Sequence, residues 1–225
     1  MGIMRLYTYC LRWDDGAAPN PFWGICTLAI CKPAIRRTAK VGDWVVGLGS
    51  ANSPIGNISS SVVYAMKVTD KRSLWGYDLL CQSKYQGKIP DWYSSDFKRR
   101  VGDCIYDYGQ GTPPKLRPSV HDERSRERDL SGENVLISNH FYYFGDNPVE
   151  LPANLLPLIH SQQGHRVDLN RPYLEPFIDW LEGQGFEPNK LFGEPQLKPE
   201  FELDSDIRSK CAARGIEDDD DREVC

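Results

Sequence analysis

The chain has 225 residues, 40% of them apolar and 11% aromatic, with a formal charge of −5, which is room for a sizeable core. Eight acids against four bases from Leu203 onward account for −4 of that charge, so the rest of the chain stands near neutral at −1. That balance excludes a general DNA coater with a global basic excess, while local basic clusters can still meet phosphates.

In chain order, residues 4–13 alternate as a strand does, and 14–21 form a loop dense in Asp, Gly, Asn and Pro. An aromatic turn, Asn20-Pro21-Phe22-Trp23-Gly24, leads into an apolar strand at 25–31. A second strand, 44–48, is entered through the Gly42-Asp43 turn. Gly47 and Gly49 mark a bulge or a close approach to the backbone. Lys32, Arg36, Arg37 and Lys40 lie between the strands with no acid from 31 to 41. Such a connector suits phosphate contact or a solvated turn. Residues 51–60 are a polar loop and 61–69 the clearest strand. Residues 70–82 read as a turn and a short helix, and 85–100 as irregular, aromatic and basic. Residues 102–106 repeat the Gly-Asp-then-strand pattern, and 109–133 are a long polar loop of a length usually functional or disordered. Residues 134–138 and 141–144 read as a strand pair or one bulged strand, 151–159 as a short helix despite Pro157, and 172–182 as an amphipathic helix closed by Gly183.

Seven short strands, few helices and no β-α-β alternation predict an α+β fold, a curved and mostly antiparallel sheet or a small barrel. It is expected to be one domain over 1–200 with an acidic, disordered tail at 201–225. Seven cysteines, odd in number and without a C-x-x-C pair, argue against a disulfide framework or structural zinc and for a reducing cytoplasm. No charged-then-apolar leader opens the chain, and no run approaches the roughly 18 apolar residues of a membrane span. Without a G-x-G-x-x-G or a P-loop, no nucleotide cofactor is expected.

Four segments, CTLAICKPAIR (26–36), GDWVVGLGS (42–50), GDCIY (102–106) and VLISNHFYYFG (135–145), are followed by GHR (164–166). Together they resemble the second of the nucleotide-modification-associated domains, over roughly residues 4–182. That family is associated with systems that make, read or attack hypermodified bases in DNA, largely in the conflict between phages and bacteria. The resemblance implies a partner, DNA carrying modified bases such as glucosylated hydroxymethylcytosine, and an activity, excision of a flipped base by a DNA glycosylase. By analogy it also implies likeness to the PUA and EVE barrels, which hold a flipped base. The competing expectation is a non-catalytic reader of such bases. A transferase that builds the modification would need a donor-sugar or nucleotide site, and none is visible.

Base flipping needs aromatic surfaces, polar groups for the base edge and cations for the flanking phosphates. Phe22, Trp23, Trp44, Tyr106 and Tyr143, with Phe141 and Tyr142, are the candidates to stack on a base, each with a competing role in the core. Lys32, Arg36, Arg37, Lys98, Arg99 and Arg100 are the candidates for the DNA backbone, with Lys115 and Arg117 nearby. Glycosidic cleavage needs a carboxylate. Asp103 is preferred to Asp43 because it follows the basic aromatic segment, although both residues suit turns. Asn20 is placed to read a base edge or orient water, and His165, beside Gly164, to donate to a leaving base. Asp103, Asn20, His165 and Tyr106 are expected to converge. His121, His140 and His160 show no metal-ligand spacing with one another or with a cysteine, so no metal or other cofactor is expected. Ser50, Ser138 and Cys26 have no neighbouring base in sequence. A monomer is expected.

Overall fold

The computed structural model describes residues 3–160 and 164–198; the acidic tail lies outside the described residues. The strands are β1 (Leu6–Cys10), β2 (Cys26–Leu28), β3 (Trp44–Leu48), β4 (Ser61–Lys67), β5 (Asp70–Ser73), β6 (Tyr106–Asp107), β7 (Lys115–Leu116), β8 (Asn134–Ser138), β9 (Phe141–Tyr143), β10 (Val149–Glu150), β11 (His165–Arg166) and β12 (Lys190–Leu191). The helices are α1 (Pro33–Thr38), α2 (Leu74–Ser83), α3 (Phe97–Arg100), α4 (Arg126–Ser131) and α5 (Leu174–Gly183).

The main sheet runs β11-β1-β3-β4-β9-β12, with β10 also paired to β4. In it β1 and β3 are parallel, as are β9 and β12, and the other pairs are antiparallel. A second, antiparallel sheet runs β2-β8-β5, and β6 pairs with β7. The fold is thus α+β with mostly antiparallel, open sheets, and among the described residues no barrel closes.

Both faces of the main sheet are buried, so its central strands read as continuous apolar runs rather than as an alternation. One face carries Tyr7, Tyr9, Val45, Tyr64 and Tyr143 and packs against Cys26 and Leu28 of the second sheet. The other carries Leu6, Trp44, Val46, Val62 and Tyr142 and packs against Leu174, Phe177 and Leu181 of α5. The bulge expected at Gly47 is present, with the β3–β4 register shifting between Gly47 and Leu48. A side chain at Gly47 would collide with the Tyr64 ring.

Several elements differ from expectation. Residues 25–31 do not join the main sheet. Only Cys26–Leu28 is a strand, in the second sheet, because Cys31 and Lys32 turn into left-handed backbone (φ 55 and 41) to start α1. β8 and β9 do not pair with each other but lie in different sheets. The polar stretch 109–133 contains β7 and α4, and residues 70–73 are a strand before α2. In 102–106 only Tyr106 is in a strand. Within 151–159 only Ala153–Leu158 is helical, a 3₁₀ segment containing Pro157, and Pro172 sits in a 3₁₀ turn preceding α5.

Candidate functional site

The turn from Asn20 to Thr27 is closed by two backbone hydrogen bonds of 2.9 Å between its end residues. Trp23 and Gly24 at its tip both have positive φ, 66 and 81, as the primed hairpin turns require. Gly accepts this freely, whereas Trp holds it only under constraint. That constraint comes from Lys88, which is 0% exposed. Its ammonium donates to Asn20 O (2.8 Å), Asn20 Oδ1 (2.7 Å), Ile25 O (3.1 Å) and Thr27 Oγ1 (2.9 Å). Asn20 Nδ2 donates to Val101 O at 2.9 Å, tying the turn to the end of α3.

Asp103 completes this group. Its Oδ2 accepts from Thr27 Oγ1 at 2.5 Å and its Oδ1 from Tyr77 OH at 2.7 Å. Burial raises the Asp103 pKa, opposed by the Lys88 charge and by the Thr27 and Tyr77 hydroxyls. Burial lowers that of Lys88, opposed chiefly by Asp103. Beside Asp103 is a cavity of about 10 Å³ lined by Leu74, Tyr77, Cys104, Ile105 and Tyr106, about the space one water needs.

Over this buried group the surface is aromatic and basic. Trp23 is 39% exposed. Its indole lies against Gly87, where a Cβ would collide with it, and the Arg99 guanidinium stands 5.9 Å from the ring centre. Arg99 is braced by donating to Gln86 O at 2.8 Å. Lys98 Nζ lies 5.4 Å from the centre of the Phe22 ring. Tyr93, 87% exposed, stands on the loop closed by Asp91 N donating to Arg99 O.

The family model for nucleotide modification associated domain 2 matches residues 3–202. The chain belongs to this family. No curated protein and no solved structure matches it.

The nucleotide-modification domain brings Asn20 and Asp103 together but places His165 in a different layer. His165 pairs in register with Tyr9 and stacks on Tyr7 at 5.9 Å, within the main sheet. Strand alternation points Cys26 and Leu28 toward that sheet and Thr27 away from it, to Asp103.

Four of the aromatic candidates are core residues rather than stacking surfaces. Trp44, 1% exposed, is wedged edge-on between His140 and Phe177. Tyr143 donates to Asp14, Tyr106 donates to Asp129, and Phe22 packs edge-on to Phe97. Phe141 and Tyr142 are buried as well. Of the basic candidates, Arg36 and Arg100 are buried at 0% and 5% exposure. Arg36 donates to Cys31 O (2.7 Å), Asn134 O (3.0 Å) and Asp129 O (2.5 Å), which makes it a structural clamp and removes it from any phosphate track. Lys32 lies over Tyr9, and the exposed Arg37 donates to Ser131 O. Lys115 is exposed, while Arg117 is paired with Asp78 and Asp107. Arg99 is the predicted cation that stands beside the exposed Trp23, and Lys98 lies over the neighbouring Phe22. Among the described residues, no group of three or more His, Cys, Asp or Glu could hold a metal ion, and no helix is long and apolar enough to cross a membrane.

The same domain carries another buried carboxylate, Asp14, whose Oδ2 accepts from Tyr143 OH at 2.6 Å and Oδ1 from Gly16 N at 3.2 Å. Burial raises its pKa from 3.8 to about 7; the Asp15 and Asp146 charges push the same way, and the Tyr143 and Gly16 donors oppose. The folded state therefore holds a proton that the unfolded chain releases near pH 4. This contribution to stability is complete below pH 4 and is lost as pH rises to about 7. Its size is on the order of 4 kcal/mol at 1.4 kcal/mol per pH unit. Urea titrations across that window should show Asp14→Asn flattening the fall in stability, and an unaltered pH profile in the variant would refute the assignment.

Proposed function

We propose that this domain binds DNA carrying a hypermodified base and displaces that base from the stack with the Trp23–Gly24 turn. The observation that carries the reading is Trp23 itself. It is a large aromatic held part-exposed in a conformation that tryptophan rarely adopts, beside Arg99, next to Phe22 with Lys98 over its ring, and on a base made rigid by Lys88. Stacking on such a ring is available to any base, the two cations suit the flanking phosphates, and the family membership supports a modified base as the target. In this setting the domain serves defence against phage DNA.

A second reading, excision by a DNA glycosylase, is favoured by one observation. Asp103 lies directly behind the turn, bonded to Thr27 at its base and beside space for a single water. A carboxylate and a water are the two components that glycosidic hydrolysis needs. With Asp103 only 1% exposed, the turn has to move before a sugar could reach it.

A gel-shift assay followed by hot alkali separates the readings. Duplexes with glucosylated hydroxymethylcytosine should shift at lower protein concentration than plain duplexes. Strand breaks after alkali would reveal abasic sites, and these should vanish in Asp103→Asn; a shift without breaks means recognition alone. Trp23→Ala should weaken the shift by about 5- to 150-fold, the 1–3 kcal/mol of a lost stacking surface, with thermal stability nearly unchanged. Arg99→Ala should lower the logarithmic salt slope by about one. Equal, weak shifts for both duplexes would refute the proposal.

A further inference from the structure

Cys31, His121 and Asp129 come from distant segments and meet in one buried row. His121 Nε2 lies 3.5 Å from Cys31 Sγ, and His121 Nδ1 lies 2.6 Å from Asp129 Oδ2. One ring nitrogen thus faces the thiol and the other the carboxylate. Asp129 is itself fixed. Its Oδ2 also accepts from Tyr106 OH at 3.1 Å, its Oδ1 accepts from the Cys31 N–H at 3.1 Å, and its carbonyl accepts from Arg36. Burial alone would raise the Asp129 pKa, but His121, Arg36 and the Cys31 N–H more than offset it and hold the group below its ordinary value. Cys31 has φ 55, between β2 and α1, a conformation a non-glycine residue keeps only when its surroundings enforce it.

A thiol, an imidazole in contact with it and a carboxylate orienting that imidazole are the parts of an activated nucleophile. None of the three belongs to the Trp23 turn or the Asp103 group. We propose that Cys31, His121 and Asp129 form a second chemical site, a thiol activated toward a small uncharged electrophile of the hydroperoxide class. The size follows from burial, because the three residues are 4%, 2% and 0% exposed, which admits neither a nucleotide nor a peptide to the sulfur. A hydroperoxide also needs what the row supplies, a thiolate to attack and a proton for the departing oxygen. With hydrogen peroxide, the Cys31 proton passes to His121 Nε2 and the sulfur attacks one peroxide oxygen. The O–O bond breaks, and the departing hydroxide takes the proton from Nε2 and leaves as water. The sulfur, oxidised by two electrons, becomes a sulfenic acid. Asp129 keeps the ring oriented and stabilises its positive charge between the two proton transfers.

The test treats the full chain with hydrogen peroxide, traps sulfenic acid with dimedone, and reads each cysteine by peptide mass spectrometry. Cys26 and Cys81, both 0% exposed, are controls within the same molecule. Cys31 should label about tenfold faster than either or more, at a rate nearly flat between about pH 7 and 9, where an ordinary thiol's rate climbs. His121→Gln should slow Cys31 about tenfold and restore the climb with pH, while Cys26 and Cys81 stay protected and so report an intact fold. Cys31 labelling no faster than the controls, or equally fast in folded His121→Gln, would overturn the proposal and leave the row a structural contact. Should His121→Gln unfold and expose the controls, the wild-type pH profile decides: a flat rate upholds the proposal and a climbing one overturns it.

Discussion

Arg36→Ala is expected to cost about 3–5 kcal/mol of stability, the sum of unsatisfied buried carbonyls and of the space left by a large side chain. The Arg36 guanidinium donates to three buried carbonyls, those of Cys31, Asn134 and Asp129, and so pins α1 to α4 and to the start of β8. Alanine leaves those carbonyls without their donor and leaves a space where the side chain lay. Against the 5–15 kcal/mol that a domain of this kind possesses, the loss brings the protein close to unfolding at ambient temperature. Gly132→Ala should act through the same contact, since a Cβ there would collide with the guanidinium. Arg37→Ala, one residue on and exposed, should change stability by less than about 0.5 kcal/mol. Urea denaturation followed by circular dichroism checks all three. A loss below about 1 kcal/mol in Arg36→Ala would show that the clamp is not what holds these elements.

Lys88→Met is expected to have an effect of similar size, about 3–5 kcal/mol, by a different route. Methionine fills most of the volume of the lysine, so the loss comes from charge and hydrogen bonds rather than from a cavity. Asn20, Ile25 and Thr27 lose their shared donor, and Asp103 is left buried without its counter-charge. Asp103 already has a raised pKa, and without Lys88 it rises further. The folded variant then gains stability as pH falls and Asp103 takes up a proton, so the deficit relative to wild type should shrink in acid and grow toward neutral pH. Combining Lys88→Met with Asp103→Asn removes the unpaired charge and should cost less than the sum of the single changes, a coupling measurable by a double-mutant cycle. Strict additivity, or a deficit independent of pH, would refute the account of this pair.

The parts of this fold legible in the sequence are those where local pattern and environment agree. Trp44–Leu48 and Ser61–Lys67 are apolar and β-branched because both faces of their sheet are covered, and they are strands as expected. The segment 25–31 misled because its apolar character persists past Leu28. What ends the strand is the left-handed backbone at Cys31 and Lys32, which no residue preference announces. Arg36 and Arg37 look alike in sequence, yet adjacent positions on a helix point in different directions, and the carbonyls that capture Arg36 come from residues 31, 129 and 134. Lys88 was hidden for a similar reason. Among Lys84, Lys98, Arg99 and Arg100 it reads as one more solvated base, and its acceptors lie 61 to 68 positions away. Asn20 and Asp103 were legible as candidates because each sits in a Pro- or Gly-bounded turn, whereas their partners Thr27 and Tyr77 look like ordinary strand and helix residues. Cys31 and His121 are 90 positions apart, so no spacing rule could pair them.

The most direct measurement of the central claim is base displacement itself. A duplex carrying glucosylated hydroxymethylcytosine with 2-aminopurine as the adjacent base reports unstacking as a rise in emission. With saturating wild-type protein the emission should rise, and with Trp23→Ala at concentrations that still saturate the duplex it should stay near that of free DNA. Binding by the wild type without any rise, or an undiminished rise with Trp23→Ala, would contradict a role for the Trp23–Gly24 turn in opening the stack.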